Sequence, residues 1–413
     1  MRSSVLLTAA TAAVLSTAAP TPTEHAQEIS PRQVQCAPLP SPFPTWQQLP
    51  LQSSLPDPFL PLKYTTTDNA AGSSSFARDV MTGNAPNRIK SRAEWYECRQ
   101  PEILQLLQEY QFGYYPDPAQ EKVEATRSGT TLQITVTGPQ NKRGSFRATI
   151  QLPSGASSSR PAPVVINIGG MQNQPNSKTG AFWSIYNGRD IGVLTAWAWG
   201  FHRTLDAIQL TVPEIDPYRV GVTGCSRLGK AALAAGLFDK RITVTMPMSS
   251  GVQGLGPYRY FTLSGQGENL ENSKQGAGWW SNSKLGTFMN HHENLPFDAH
   301  TIAAAIAPRA LIMDQGTGDQ FVNSKGTATV IFPAAKVVYD WLGAGDKIGI
   351  NVRSGGHCDM SGFNGILPFV QNIFFNTTTT RNFHSLGTYN TPLPRLIHGR
   401  APFRRLKAPQ AVR

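Results

Sequence analysis

The chain of 413 residues carries 37 Lys and Arg against 26 Asp and Glu, with 40% apolar residues and 37 glycines. That composition supports a substantial core and excludes disorder, collagen and coiled coil as the main architecture. Seven basic residues of the +11 net charge (Arg381, Arg395, Arg400, Arg404, Arg405, Lys407 and Arg413) fall in residues 381–413, which contain no acid, so the excess is largely a tail and not a nucleic-acid footprint.

In chain order, Met1-Arg2 and an apolar run from Val5 to Ala19 predict a secretory signal peptide over residues 1–19 and an extracellular protein. The run is too short to span a bilayer, and no later stretch reaches 18 uninterrupted apolar residues, so no membrane partner is expected. Residues 20–35 predict a propeptide-like linker, residues 36–376 one α/β domain, and residues 377–413 a disordered basic tail. Predicted strands are Leu132–Val136, Phe146–Leu152, Val164–Ile168, Val193–Trp197, Arg219–Thr223, Thr243–Met246, Ala310–Met313 and Ile348–Val352. Predicted helices are Glu102–Tyr110, Phe201–Leu210, Leu228–Leu237, Ala334–Leu342 and Leu367–Phe375. The alternation describes a three-layer α/β sandwich around a mostly parallel sheet, of the α/β-hydrolase kind. Residues 37–97, rich in Pro and Ser, and residues 251–294, rich in Gly, Asn and Ser, interrupt it and suggest loops at a functional rim. Trp279-Trp280 in the second loop suits a sugar ring or packing on the core.

Export would let Cys36, Cys98, Cys225 and Cys358 pair, in any of three connectivities. Asn376-Thr377-Thr378 is a glycosylation sequon.

Val220-Gly-Val-Thr-Gly-Cys-Ser-Arg-Leu-Gly-Lys230 reads as a strand entering a sharp small-residue turn and then a helix. This resembles a nucleophile elbow exposing the Ser226 hydroxyl above the sheet, although the second Gly falls three residues after the serine instead of two. The same residues also suit a helix N-cap at Ser226. Gly355-Gly356-His357-Cys358 follows the last predicted strand, where the order serine, acid, histidine puts the general base. Cys225 adjoins the serine and Cys358 the histidine, so a Cys225–Cys358 bridge would join the two loops across 133 positions and leave Cys36 to Cys98. No His/Cys cluster has metal-ligand spacing and no Gly-rich phosphate loop occurs, so neither metal nor cofactor is expected.

Over residues 36–376 the chain resembles the fungal glucuronoyl esterases of carbohydrate esterase family 15, through Cys36-Ala-Pro-Leu-Pro, Leu55-Pro-Asp-Pro-Phe, Cys98-Arg-Gln-Pro-Glu-Ile, Ala196-Trp-Ala-Trp-Gly200, Ile215-Asp-Pro, Gly224–Lys230, Leu295-Pro-Phe-Asp298 and Ile306-Ala-Pro-Arg309. The resemblance implies a monomeric α/β-hydrolase that cleaves the ester between 4-O-methyl-glucuronic acid on xylan and a lignin alcohol. It assigns Ser226 as nucleophile, His357 as general base, the Arg227 backbone N–H and guanidinium to the oxyanion, and Lys230 to the sugar. Where the family has a Gln and a Glu contacting the uronic acid the alignment runs through Glu271 and Gly276, and where it has a sugar-stacking Trp it finds Gln320 or Phe321; Glu271, and Trp279 from the aromatic pair of the second loop, are the further expected substrate contacts.

The family's catalytic Glu lies in a Pro-Gln-Glu-Ser-Gly stretch, matched here by Pro247-Met-Ser-Ser-Gly251, so Ser249 replaces the acid. A serine holds no charge against an imidazolium, and losing the acid of such a triad costs about 10⁴ in rate. The loop after Ala310–Met313 supplies Asp314 and Asp319, and Asp319, farther past the strand end, is the expected acid; an Asp in a Gly-rich turn also serves local hydrogen bonding. Alternative functions are an esterase for another uronate ester and a carbohydrate-binding relative that lost turnover with its acid.

Overall fold

Val220–Thr223, Val244–Met246 and Ala310–Met313 are apolar runs without polar alternation, the pattern of strands covered on both faces. In the computed structural model, which describes residues 34–63, 87–168, 178–260, 267–359 and 361–389, they lie at the centre of a parallel sheet. The chain divides into two units, Met1–Gln35 and Cys36–Arg413, and the second contains both sheets of the fold. The expected signal peptide, residues 20–33 of the expected linker and residues 390–413 lie outside the described residues.

Three strands come first: β1 (Lys122–Ser128), β2 (Thr131–Thr137) and β3 (Arg143–Thr149) form an antiparallel meander. The parallel sheet follows in the order β4 (Ala162–Asn167), β5 (Ile215–Cys225), β6 (Val244–Met248), β7 (Ala310–Gly316) and β8 (Ile348–Arg353). The strands expected to make one sheet therefore divide into two. β2 shows why: Leu132, Ile134 and Val136 alternate with partly exposed residues, the signature of a sheet with one covered face, whereas β6 and β7 are buried throughout.

The longer helices are α1 (Gln100–Leu107), α2 (Val193–Thr211), α3 (Arg227–Phe238), α4 (Leu270–Ala277), α5 (Phe332–Leu342) and α6 (Ser361–Phe375). Helices α2, α3 and α5 share the main core on one face of the parallel sheet, while α6 covers the other with Ile366, Phe369 and Phe374 over Val244, Met246 and Ile312. The meander lies against α2.

Two expectations need correction. Val193–Trp197 is not a strand but the opening of the 19-residue α2. A short apolar run has the same pattern in a buried helix as in a buried strand, and Val193 to Trp199 are all buried. Residues 377–389, expected as the start of a disordered tail, return along β8: Phe383 is buried against Ile312 and Phe369, its carbonyl accepts from Ile350 N–H at 2.7 Å, and Arg381 bonds the Asn351 side chain. The described part of the irregular 37–97 region likewise contributes residues to the core, with Phe59 edge-on to Trp95 and Trp341.

Candidate active site

Ser226 stands between β5 and α3 with φ 60° and ψ −128°, outside the ordinary regions for a residue with a Cβ. Its N–H donates to Met248 O at 2.9 Å and its carbonyl accepts from Lys230 N–H at 3.1 Å, which pins the turn. It occupies the N-cap position of α3, yet its side chain makes no cap hydrogen bond, so the N-cap reading fails and the hydroxyl is left for chemistry. The glycines have a steric reason. A Cβ on Gly224 would lie 2.4 Å from Leu228 O, and one on Gly229 2.8 Å from Met248 O and 2.9 Å from Gly224 O. The late glycine is where α3 presses on β6. Arg227, the first residue of α3, holds its backbone N–H at the positive end of the helix, beside Ser226.

His357 lies four residues past β8. The disulfides are Cys36–Cys98 and Cys225–Cys358, the latter with its Cα atoms 5.6 Å apart. The second bridge joins the residue before Ser226 to the residue after His357, and a ring nitrogen of His357 lies within 4.8 Å of both sulfurs. Ser226 and His357 are both half-buried.

Asp319 meets His357 through both carboxylate oxygens, 2.8 and 3.0 Å from Nδ1. One oxygen also accepts from the backbone N–H of Phe321 at 2.9 Å and of Val322 at 3.2 Å, so the turn that holds this aspartate also aims it. Burial alone would raise its pKa, but the hydrogen bond with His357, the Phe321 N–H and the imidazole charge together hold it below the ordinary aspartate value. Ser249 is fully buried beside it and adds a smaller interaction of the same sign, outside full hydrogen-bond geometry. Asp314 is used elsewhere: it pairs with Arg353 at 3.0 Å and accepts from the Asn351 amide at 2.6 Å, on the α6 face of the sheet.

The substrate-side expectations change. Lys230 is 1% exposed, and its ammonium donates to Ser250 O and Val252 O, both at 2.6 Å, and to Glu268. An ammonium has three protons, and these three acceptors engage all of them. Glu271 does not join it; this carboxylate accepts from Asn290 N–H at 2.8 Å. Trp279, partly buried, packs edge-on against Trp197 and Trp280 at the border of the core, and Trp280 is the ring under the Lys230 ammonium, 4.9 Å from it. Sequence reasoning passed over Glu268, three residues from Glu271, because nothing in its neighbours marks which side chain turns inward. Phe321, 63% exposed, has its ring centroid 4.9 Å from that of His357.

A serine on a strained strand-to-helix turn and a carboxylate-supported histidine, both beyond the carboxyl ends of a parallel sheet, are the features of an α/β-hydrolase. Comparison narrows the class. The family described as glucuronyl esterase, fungi, matches residues 171–343. A 4-O-methyl-glucuronoyl methylesterase of Podospora anserina is 36% identical over 311 residues, 68% of this chain and 63% of that protein, so the match spans under two thirds of that relative. The enzyme of the same name from Neurospora crassa is 33% identical over 68% of this chain and 76% of its own. Among solved structures, a carbohydrate esterase family 15 glucuronoyl esterase from Caldicellulosiruptor kristjansonii superposes with a TM-score of 0.69 at 30% identity, covering 82% of this chain and 94% of that one. A glucuronoyl esterase from Sporotrichum thermophile, in complex with methyl 4-O-methyl-beta-D-glucopyranuronate, gives 0.65 at 27%, covering 80% and 90%. The chain belongs to the glucuronoyl esterase family.

Proposed function

We propose that this protein is a secreted serine esterase that hydrolyses the ester between 4-O-methyl-glucuronic acid of glucuronoxylan and lignin alcohols. Ser226 Oγ attacks the ester carbonyl while His357 accepts its proton, and the Arg227 N–H at the start of α3 stabilises the developing oxyanion. His357 returns the proton to the leaving alcohol, and water, deprotonated by the same imidazole, then releases the uronic acid and restores the serine. Asp319 holds the proton-bearing Nδ1 and balances the imidazolium, the task the family's Glu performs from the position now held by Ser249. The observation that carries this reading is the linked pair of contacts at His357: Asp319 at 2.8 Å on one side and the bridge to the Ser226 turn on the other.

Support for the uronate ester comes from the relatives named 4-O-methyl-glucuronoyl methylesterase and from the Sporotrichum thermophile enzyme in complex with a methyl uronate. The apolar amino-terminal run supports secretion, and the sequon supports a glycan on Asn376, which is exposed just past α6. Purified protein should hydrolyse benzyl glucuronate, and Ser226→Ala should abolish this. Tight glucuronate binding without turnover by the unmodified protein would favour a carbohydrate-binding role instead.

A further inference from the structure

Of Ser226, His357 and Asp319, the histidine is the one whose own sequence restrains it least, because Gly355 and Gly356 lead into it and Gly355 sits at φ +101°. Its alignment depends on neighbours. The acid turn supplies part of it: Thr317 N–H donates to Arg353 O at 2.8 Å and Gly318 N–H to Gly355 O at 3.0 Å. The two backbones lie so close that a Cβ on Gly316 would come 2.7 Å from Gly355 O and 2.8 Å from Gly356 O. The carbonyl of Gly356 belongs to the peptide that enters His357, and it accepts from Arg353 Nη1 at 3.1 Å. Arg353 is the last residue of β8, and its side chain is 8% exposed. Its Nε lies 3.1 and 3.2 Å from the two oxygens of Asp314, which is fully buried on β7 and accepts a further hydrogen bond of 2.6 Å from the Asn351 amide.

We infer that Arg353 is a positioning residue for the esterase reaction: anchored on Asp314, it holds the Gly356–His357 peptide so that the imidazole keeps its bond to Asp319 while facing Ser226. This inference rests on the esterase reading of the site. A guanidinium suits the task because its planar fork presents donors on two edges at once, one to a carboxylate and one to a backbone carbonyl. An ammonium offers a single charged point on a flexible stem. The pairing with Asp314 also cancels most of the guanidinium's charge, which would otherwise oppose an imidazolium in the same loop. The bonds of the Arg353 side chain reach Asp314 and the loop backbone, not the His357 ring, so it acts through position alone.

The test compares the unmodified full chain with Arg353→Lys and Arg353→Gln. In both variants kcat for benzyl glucuronate should fall at least about tenfold with KM held within about twofold, since a misplacement of about 1 Å can cost about a hundredfold in rate. By proton NMR, the resonance of the His357 Nδ1 proton, drawn downfield by the bond to Asp319, should weaken or move upfield, a change that lost stability elsewhere would not produce. Arg353→Lys keeps a cation for Asp314, so it decides the matter if Arg353→Gln fails to fold. A folded Arg353→Lys variant with kcat within about threefold of the original, or one whose kcat falls while the resonance stays in place, would overturn the inference. Turnover indifferent to Arg353 sinks this inference alone, whereas a resonance lost in Arg353→Lys from a protein that turns over no ester sinks the esterase reading alone.

Discussion

Replacing Asp319 by Asn keeps the shape of the turn and removes one charge. At the 2.8 Å separation from His357 Nδ1 and an effective dielectric of about 20, a carboxylate and an imidazolium attract by about 6 kcal/mol, falling to about 4 once the charges are spread over their groups. A histidine acts as base only from its neutral form, so in the productive cycle the imidazolium is made as Ser226 attacks and its attraction to the carboxylate lowers the barrier, by a factor of about 10³–10⁴ in rate. An amide can also donate to Nδ1 and move the ring proton to the nitrogen that must act as base. The measurement is kcat/KM for benzyl glucuronate in the unmodified protein and in Asp319→Asn, with Asp314→Asn as control. A carboxyl held below the ordinary value is ionised throughout about pH 6 to 8, so its own titration adds no pH dependence to the loss in that range. Its favourable contribution disappears only in acid, as pH falls through the lowered folded pKa. Asp314→Asn should weaken the fold through Arg353 and leave most of the rate. An Asp319→Asn enzyme within tenfold of the original would refute the assignment, and collapse of activity in Asp314→Asn alone would transfer it.

Opening the second bridge by Cys225→Ser with Cys358→Ser releases a 133-position loop, a chain-entropy change of about 5 kcal/mol and about 2–4 in practice. Activity should fall well beyond the loss from opening Cys36–Cys98, and equal losses in parallel assays would deny the bridge a role in alignment. Ser249→Glu puts a second carboxylate in a fully buried place beside Asp319, so it should lower kcat at least tenfold; a gain in kcat would contradict that geometry. His202, 2% exposed, accepts at Nδ1 from Tyr115 and donates through Nε2 to Ala235 O, and burial pulls its pKa down to about 4. Between its ordinary value of 6.5 and about 4 the unfolded chain binds a proton the folded one refuses, so stability should fall by about 3 kcal/mol as pH drops through that window. Thermal midpoints across the range should flatten in His202→Gln, and an unaltered slope would remove His202 as the cause.

Much of the site could be read from residues close together in the chain. The run from Val220 to Lys230 implied strand, turn and helix because its small residues are where strand and helix approach most closely, and the late Gly229 proved to be such a contact. The cysteines beside Ser226 and His357 carried one piece of long-range information, since a covalent partner restricts where two loops end. Val193–Trp197 went the other way: an apolar run has the same composition whether helix or strand buries it, and only packing decided.

The sequence by itself determined the chemistry available: a serine in an elbow, a histidine past the last strand, two candidate aspartates, a lysine one turn into the helix. Tertiary structure alone decided which of these groups meet. Asp314 and Asp319 are five residues apart, but the first side chain falls on the α6 face with Arg353 and the second turns beneath His357. Glu268 reached Lys230 where Glu271 was expected on the substrate side, and Lys230 itself turned out enclosed. Hydrogen bonds and ion pairs act over a few ångströms in directions set by the whole packed chain, and residue spacing does not encode those directions beyond a turn or two.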